Sequence, residues 1–263
     1  MTILTQASRQ WANRPADERF TSLPAMLAHL NQIRDESYHV AISTKAIRFA
    51  PTRNDTKYGL TVQLRHQWRT VYTDELNLTN WSFGQLAALT NSPAGYLRTL
   101  PAPIAADCLN YGMEFKRGPQ EVGVLVHRNG EQVLTAATGP RYGRIWNADV
   151  VGTLVDRFGD GVTGSWKVPG EFGKAVQVDK ANTTLYASDR DMFVFLADEE
   201  RRIEVQNRRH GQPGSMARGF FVSNSEVGAA TLSISTFLFD YVCCNRIVWG
   251  ADQFNKINIR HTA

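Results

Sequence analysis

The segment Gly219–Gly250 has the sequence GFFVSNSEVGAATLSISTFLFDYVCCNRIVWG, the longest stretch of the 263-residue chain in which apolar residues outnumber all others. Phe220–Val222 is typical of a β-strand, and the short polar residues Ser223–Glu226 favour a turn because their side chains bond to nearby backbone. Leu232 and Ile234 then alternate with polar residues, which is the two-residue period of a half-buried strand. The sequence therefore predicts a core element around which the rest of the chain is organised.

The rest of the chain contains short strand patterns separated by close turns. Val122, Val124 and Val126 alternate, and Asn129-Gly130 supplies the type I′ turn that joins this strand to the next one in a hairpin. Short strands and few long helices favour an antiparallel α+β fold over a doubly wound parallel sheet. Further strand patterns lie at 38–72, 162–168, 174–178, 183–187 and 192–197.

Helical patterns occur near the N-terminus and in the middle of the chain. An amphipathic helix begins at Ser22 and ends near Asp35, and a second one begins at Asn147 and ends before Gly159. The sequence predicts an N-terminal helical arm over 1–36, followed by one α+β domain over 37–263 in which helices flank a mainly antiparallel sheet.

A third helical region, Ser82–Pro101, contains a break at Asn91-Ser92-Pro93 and allows two interpretations. It can be a helix-turn-helix, whose second helix enters a DNA groove. It can also be an ordinary helical hairpin packed on a sheet. Arg98 is the only strong base or phosphate contact that the second helix offers, which favours the hairpin.

Composition narrows the class of protein without naming a function. The chain has 29 Lys and Arg, 25 Asp and Glu and a net charge of +4, a weak preference for polyanions. No apolar run is long enough to span a membrane, and the N-terminus lacks a signal-peptide pattern, so we expect a cytoplasmic protein without a membrane partner. The three cysteines, Cys108, Cys243 and Cys244, lack disulfide or zinc-site spacing and are expected to be buried thiols.

The common enzyme motifs are absent from the sequence. It contains no phosphate-binding loop, dinucleotide fingerprint, His-Glu-x-x-His pair or nucleophile elbow. One acidic group could still bind a divalent cation, because Asp189, Asp191 and Glu226 all lie in predicted turns. The alternative is a hairpin turn in which Asp189 bonds to its own backbone and Asp191 faces water. We expect no cofactor other than such a metal ion, and whether the protein is an enzyme stays open.

Basic and aromatic residues suggest nucleic-acid binding instead. Guanidinium groups pair with phosphates, and exposed aromatic rings stack on unpaired bases. The competing interpretation buries the aromatic residues at a strand-to-helix junction and scatters the arginines. The candidate contact residues are Arg128, Arg141, Tyr142, Arg144, Arg208, Arg209 and Arg218.

Three stretches resemble the phage and plasmid-like protein family that carries the domain of unknown function 932. They are Val222–Gly228 with its continuation to Asn245, Leu185–Leu196, and Arg141–Ile145. The resemblance as a whole covers roughly residues 80 to 261. The chain departs from the family pattern at Arg246, where a glycine is usual. The resemblance implies an origin in a mobile element, no established activity, and a helical tail after the last residue, so the chain is either a shortened form or a shorter relative.

These observations predict a non-enzymatic nucleic-acid-binding protein of a phage, prophage or plasmid. By analogy with single-strand annealing proteins, which hold DNA on a curved sheet, single-stranded DNA is the expected partner and a homo-oligomer is a further expectation. A metal-dependent enzyme acting on nucleic acid or nucleotides is the first alternative. A protein-binding module, such as an inhibitor of a host defence factor, is the second.

Overall fold

The computed structural model describes residues 4–6, 14–52, 59–65, 74–115, 120–169, 177–205, 214–240, 247–249 and 256–262. The chain forms two compact units. Unit 1 comprises Met1–Asn31, Ile145–Glu226 and Ala230–His261, and unit 2 comprises Gln32–Arg144, Val227–Ala229 and Thr262–Ala263. Each unit contains a mostly antiparallel sheet with flanking helices, so the predicted α+β class is confirmed.

Fifteen strands and five α-helices make up the described part of the chain. The helices are α1 (Leu23–Asp35), α2 (Asn80–Leu89), α3 (Ala94–Leu97), α4 (Ala102–Phe115) and α5 (Asn147–Phe158), and short 3-10 turns lie at Ala16–Glu18 and Thr44–Ala46. The strands are β1 (Leu4–Gln6), β2 (Arg19–Phe20), β3 (Ser37–Ser43), β4 (Ile47–Pro51), β5 (Leu60–Leu64), β6 (Asp74–Leu78), β7 (Glu121–Asn129), β8 (Glu131–Thr138), β9 (Trp166–Lys167), β10 (Leu185–Ala187), β11 (Met192–Val205), β12 (Gly214–Asn224), β13 (Leu232–Asp240), β14 (Ile247–Trp249) and β15 (Lys256–Ile259).

Unit 1 is built on a sheet with the strand order β1-β14-β13-β12-β11-β10-β2, to which β9 and β15 add at β11 and β13. The quoted segment supplies most of β12 and β13, as predicted for a core element. The first half of strand β11, residues 192–198, is buried. Val194 and Leu196 face the core that contains α1 and α5, and Phe193 and Phe195 face a smaller aromatic cluster. This two-sided burial explains why residues 192–197 are all apolar, whereas the exposed second half of the strand is mostly charged.

Unit 2 contains a six-stranded sheet with the order β3-β7-β8-β6-β5-β4. Its pairs are antiparallel except β6 with β8, and the predicted hairpin at Asn129-Gly130 joins β7 to β8. Helix α2 packs on the sheet through Phe83, Leu86 and Ala87, which are buried in the core. Helix α3 has only four residues, so the region around Asn91 is the packed helical hairpin and not a helix-turn-helix.

The predicted helices at 22–35 and 147–158 are confirmed as α1 and α5. The predicted strand at 162–168 is wrong for most of its length, because only Trp166–Lys167 pairs in a sheet. The Asp160 carboxylate instead accepts hydrogen bonds from the backbone N–H groups of Val162 and Thr163, which closes a turn there. Of the predicted strand at 174–178, residues 174–176 lie outside the described residues, and Gln177 and Val178 do not belong to a strand. No helix in the described ranges combines the length and the apolar character needed to cross a membrane.

Candidate functional site

The net charge of the protein belongs to unit 2. This unit contains 13 of the 29 Lys and Arg and 9 of the 25 Asp and Glu, which gives it a formal charge of +4. Unit 1 contains 16 residues of each sign and is neutral. The excess positive charge is therefore confined to unit 2, which contains fewer than half of the residues.

A cavity of about 530 Å³ lies in unit 2 beside the edge strand β4. Three cationic side chains, Lys45, Arg48 and Arg65, line it together with Asp107 and Glu114. The remaining lining residues are Thr44, Ile47, Asn110 and Met113. The cavity therefore has a cationic wall, formed by side chains from the β4 region, and a second wall, formed by two carboxylates and an amide from α4.

Alternation along β4 positions the cationic wall. Ile47 and Phe49 point into the core of unit 2, so Arg48 between them points outward and is exposed. The turn before β4 is fixed by Ser43, whose hydroxyl accepts a hydrogen bond from the Lys45 N–H at 3.4 Å. Thr44 fixes the turn from its other side by exchanging hydrogen bonds with the residue that precedes β7.

Helix α4 forms the second wall, and Asn110 attaches it to the sheet. The Asn110 side-chain oxygen accepts a hydrogen bond from the Phe49 N–H at 2.8 Å, and its amide donates to the Phe49 carbonyl at 2.9 Å. These bonds replace those that a neighbouring strand would make with the edge strand β4. Because Asp107 and Glu114 flank Asn110 by about one helical turn on each side, the attachment directs both carboxylates towards the cavity.

The two walls can bind different parts of one ligand. Guanidinium and ammonium groups pair with phosphate oxygens, and the guanidinium does so with two parallel donors. Carboxylates and the amide oxygen of Asn accept hydrogen bonds from the N–H and O–H groups of bases and sugars. A cavity of this volume is within the range of small-molecule sites. The arrangement suits a nucleotide whose phosphate lies against β4 and whose base or sugar lies against α4.

The sequence-predicted contact residues lie elsewhere. Arg128 is exposed near the end of β7, with its guanidinium 4.2 Å from the centre of the Tyr38 ring. Thr44 of the cavity bonds to Gln120 at the opposite end of β7, which at about 3.3 Å per residue is roughly 25 Å away. Arg128 and the cavity therefore cannot contact the same nucleotide.

Arg141, Tyr142 and Arg144 follow β8. Arg141 is exposed, whereas Tyr142 and Arg144 are half-buried, and the Arg144 guanidinium lies 5.4 Å from the centre of the Tyr142 ring. The Nη2 atom of Arg144 has almost no accessible surface. Burial, and then the charge of Arg144, lower the pKa of His39. Of these three residues, Arg141 is the most exposed to solvent.

The other predicted arginines belong to unit 1. Arg218 on β12 donates a hydrogen bond at 2.8 Å to the carboxylate of Asp198, which is buried. The Nη2 atom of the guanidinium that was predicted to contact phosphate is therefore already bonded to Asp198. Arg208 and Arg209 lie outside the described residues. The seven predicted residues are thus divided between the two units. None of the five that lie in the described part of the chain lines the cavity beside β4.

The predicted acidic residues serve a turn and a helix end. Ser188–Asp191 forms the turn between β10 and β11, in which the Ser188 hydroxyl bonds to the Asp191 carboxylate at 3.1 Å, and Arg14 donates to the same carboxylate at 3.3 Å. Asp189 is exposed. Glu226 accepts a hydrogen bond from the Asn147 N–H at the start of α5 at 2.9 Å. Among the described residues, no group of three or more His, Cys, Asp or Glu side chains is placed to bind a metal ion.

Sequence reasoning missed helix α4 and every residue of the cavity. The available indication was the spacing of Ala105, Leu109 and Met113, which recur every four residues and are buried. The expectation of buried cysteines is wrong for Cys108, because α4 directs it towards solvent. Cys243 and Cys244 lie outside the described residues.

Comparisons with protein-family models, with curated proteins and with solved structures give no match for this chain. The resemblance to the phage and plasmid-like family, with the mobile-element origin that it implies, therefore stays a prediction.

Proposed function

We propose that this chain is a non-enzymatic nucleic-acid-binding protein that holds phosphate in the cavity of unit 2. The observation that supports this function is the convergence of Lys45, Arg48 and Arg65 on one cavity, in the unit that has the whole net charge of the protein. Phosphate contacts supply much of the affinity of nucleic-acid-binding proteins, and guanidinium groups are well suited to them. The cavity replaces the predicted arginines as the centre of the proposed interface.

The preferred partner is single-stranded nucleic acid, with DNA as the first choice. In a duplex the Watson–Crick edges of the bases are paired and cannot reach the carboxylates of Asp107 and Glu114. An unpaired nucleotide can enter the cavity with its phosphate against Arg48 and its base against α4. Exposed Arg141 and the Tyr38-stacked Arg128 can contact the backbone of a longer strand. A cytoplasmic protein of a phage, prophage or plasmid fits this partner and stays part of the proposal.

The test is a fluorescence-anisotropy titration of labelled single-stranded and duplex DNA over a series of salt concentrations. Wild type is compared with the double variant Arg48→Ala/Arg65→Ala. Each lost phosphate contact lowers the slope of log affinity against log salt by about 0.7 for a single strand, so the double variant should lose about 1.4 from the slope. Binding at low salt should fall about tenfold or more.

A matched control removes two arginines from unit 1. Arg201 and Arg202 are adjacent, exposed residues of β11, and Arg201→Ala/Arg202→Ala should leave the salt slope unchanged. Thermal unfolding of each variant separates loss of binding from loss of fold. The proposal is wrong if wild type binds neither form at low salt, or if the cavity variant keeps the wild-type slope. A fall in slope only in Arg208→Ala/Arg209→Ala would return the interface to the residues predicted from the sequence.

A further inference from the structure

Helix α4 exposes a line of apolar side chains on the face that does not contact the sheet. Ile104, Cys108, Tyr111 and Phe115, here called the α4 stripe, follow one another at intervals of four, three and four residues. Ile104 is 50% exposed, Tyr111 64% and Phe115 66%, and Cys108 is also exposed. The Tyr111 and Phe115 rings contact each other at a centroid distance of 5.3 Å. Residues at this spacing lie along one side of an α-helix.

The α4 stripe is separate from the face of α4 that packs in the core and from the face that lines the cavity. Ala105, Leu109 and Met113 pack in the core of unit 2, and Asp107 and Glu114 line the cavity. Single exposed apolar residues are normal on protein surfaces. Four in a line at heptad spacing are different, because this is the pattern by which one helix packs its side chains between those of a second helix.

We infer that the α4 stripe is the contact between two copies of this chain, with the two α4 helices antiparallel across a two-fold axis. In the described part of the chain, the exposed large apolar residues that lie on helices are Tyr96 of α3 and three residues of the α4 stripe. Among the described helices of this chain, the best match to the stripe is therefore α4 of another copy. Two-fold pairing is also the commonest symmetry of protein oligomers.

The order of side-chain sizes along the α4 stripe suits antiparallel pairing. With the axis midway along the stripe, Ile104 of one copy lies opposite Phe115 of the other, and Cys108 lies opposite Tyr111. Each contact thus places a smaller side chain against an aromatic ring, which lets the two helices interdigitate. In a parallel pair, the two bulky aromatic residues of one copy would meet the same residues of the other.

The size of the α4 stripe predicts a weak dimer. A fully exposed aromatic side chain offers roughly 150–250 Å², so Tyr111, Phe115 and Ile104 together contribute on the order of 400 Å² per copy. Two copies would bury about 800 Å², which is below the roughly 1,200 Å² of the smallest stable interfaces. We therefore expect a dimer that forms at micromolar concentration and dissociates on dilution.

The first test is sedimentation velocity at protein concentrations from about 5 to 200 µM. In this range the dimer fraction of a weakly associating protein changes with concentration. The wild type should shift from monomer to dimer, and Tyr111→Lys should remain monomeric. Tyr96→Lys is the matched control, because Tyr96 is 61% exposed, lies on a helix of the same unit and is not in the α4 stripe. It should dimerise like wild type, and circular dichroism checks that both variants fold.

Cys108 provides a second measurement. Across the proposed axis the two Cys108 residues are offset by about 4.5 Å along helices about 8–10 Å apart, so a short bis-maleimide should join them. In the variant Cys243→Ser/Cys244→Ser, the reagent should produce a covalent dimer that is lost on adding Cys108→Ser. Monomers at every concentration would overturn the inference. A dimer that persists in Tyr111→Lys would place the interface elsewhere and overturn it as well.

Discussion

Asp198 of β11 and Arg218 of β12 lie directly opposite each other in the sheet of unit 1, with 2.8 Å between the Asp198 Oδ2 and Arg218 Nη2 atoms. The Asp198 side chain is 1% exposed, and its other oxygen accepts hydrogen bonds from the backbone N–H groups of Glu200 and Arg201. This carboxylate stabilises the irregularity of β11 between Asp198 and Ile203. Arg218 balances the buried charge of Asp198. This pairing explains why an arginine directly precedes the apolar segment Gly219–Gly250.

Arg218→Ala should destabilise the protein without changing the salt dependence of nucleic-acid binding. The substitution leaves the Asp198 carboxylate buried with only backbone donors, which costs about 1–3 kcal/mol of the free energy of unfolding. Urea denaturation measures the loss, and the anisotropy titration measures the slope. Arg157→Ala, which removes an exposed arginine at the end of α5, should change neither quantity. If Arg218→Ala lowers the salt slope while its stability is unchanged, Arg218 contacts phosphate after all.

The sequence predicts the elements of this fold that have strict periodicity. The β7–β8 hairpin has alternating valines and a turn dipeptide, and helices α1 and α5 have regular apolar faces. Helix α4 escapes prediction because Pro103, Asn110 and Gly112 are poor helix formers. Its stability comes from burial of Leu109 and Met113, whose four-residue spacing is a short local indication, and from the Asn110 bonds, which a local pattern does not show.

The cavity is harder to predict than the fold. Its cations come from the turn before β4, from β4 itself and from the end of β5. Its carboxylates come from a helix some 40 to 70 residues later. None of these positions forms a motif with its neighbours in sequence. The predicted arginines stood out because they lie near one another or near aromatic residues. None of those in the described part of the chain lines the cavity.

Gly112→Ala should separate α4 from the end of α2. A Cβ atom at Gly112 would overlap Thr90, whose Cβ and Cα atoms are close to it and cannot move independently of the backbone. Overpacking of this kind typically costs about 1–3 kcal/mol. Gly95→Ala on α3 is the matched control, because a Cβ there meets no atom within 4 Å and alanine favours helix. Thermal denaturation should show a lower midpoint for Gly112→Ala and an equal or higher one for Gly95→Ala. Equal midpoints would mean that the two helices do not pack this closely.

Asn110→Ala should expose the edge of the unit 2 sheet. The substitution leaves the N–H and the carbonyl of Phe49 without the bonds that Asn110 provides, at a cost of about 1–3 kcal/mol for a partly buried pair. The open edge should also promote association of sheets, so light scattering on heating should begin at a lower temperature than in wild type. Glu114→Ala removes an exposed side chain one turn later on α4 and should behave like wild type. Unchanged stability in Asn110→Ala would show that water replaces the amide at no cost.

Two carboxyl groups of unit 1 should give opposite dependences of stability on pH. The hydroxyl of Thr163, and then the backbone N–H groups of Thr163 and Val162, lower the pKa of Asp160 below its ordinary value of 3.8. Burial is the largest influence on Glu18, and it raises the pKa of that carboxyl above its ordinary value of 4.5, although the hydroxyl of Tyr186 acts in the opposite direction. The ionised form is thus favoured by folding at Asp160 and disfavoured at Glu18.

The sign of each effect follows from proton linkage. The contribution of Asp160 to stability is present above its unfolded pKa and is lost as the pH falls through its folded pKa. Asp160→Asn should therefore be less stable than wild type at about pH 7, and the difference should shrink towards about pH 3. The contribution of Glu18 is present below its unfolded pKa and is lost as the pH rises through its folded pKa. The stability of Glu18→Gln relative to wild type should therefore increase as the pH rises from about 3 to about 7. Urea midpoints at several pH values measure both differences. Parallel pH profiles for wild type and the two variants would show that neither carboxyl changes its proton affinity on folding.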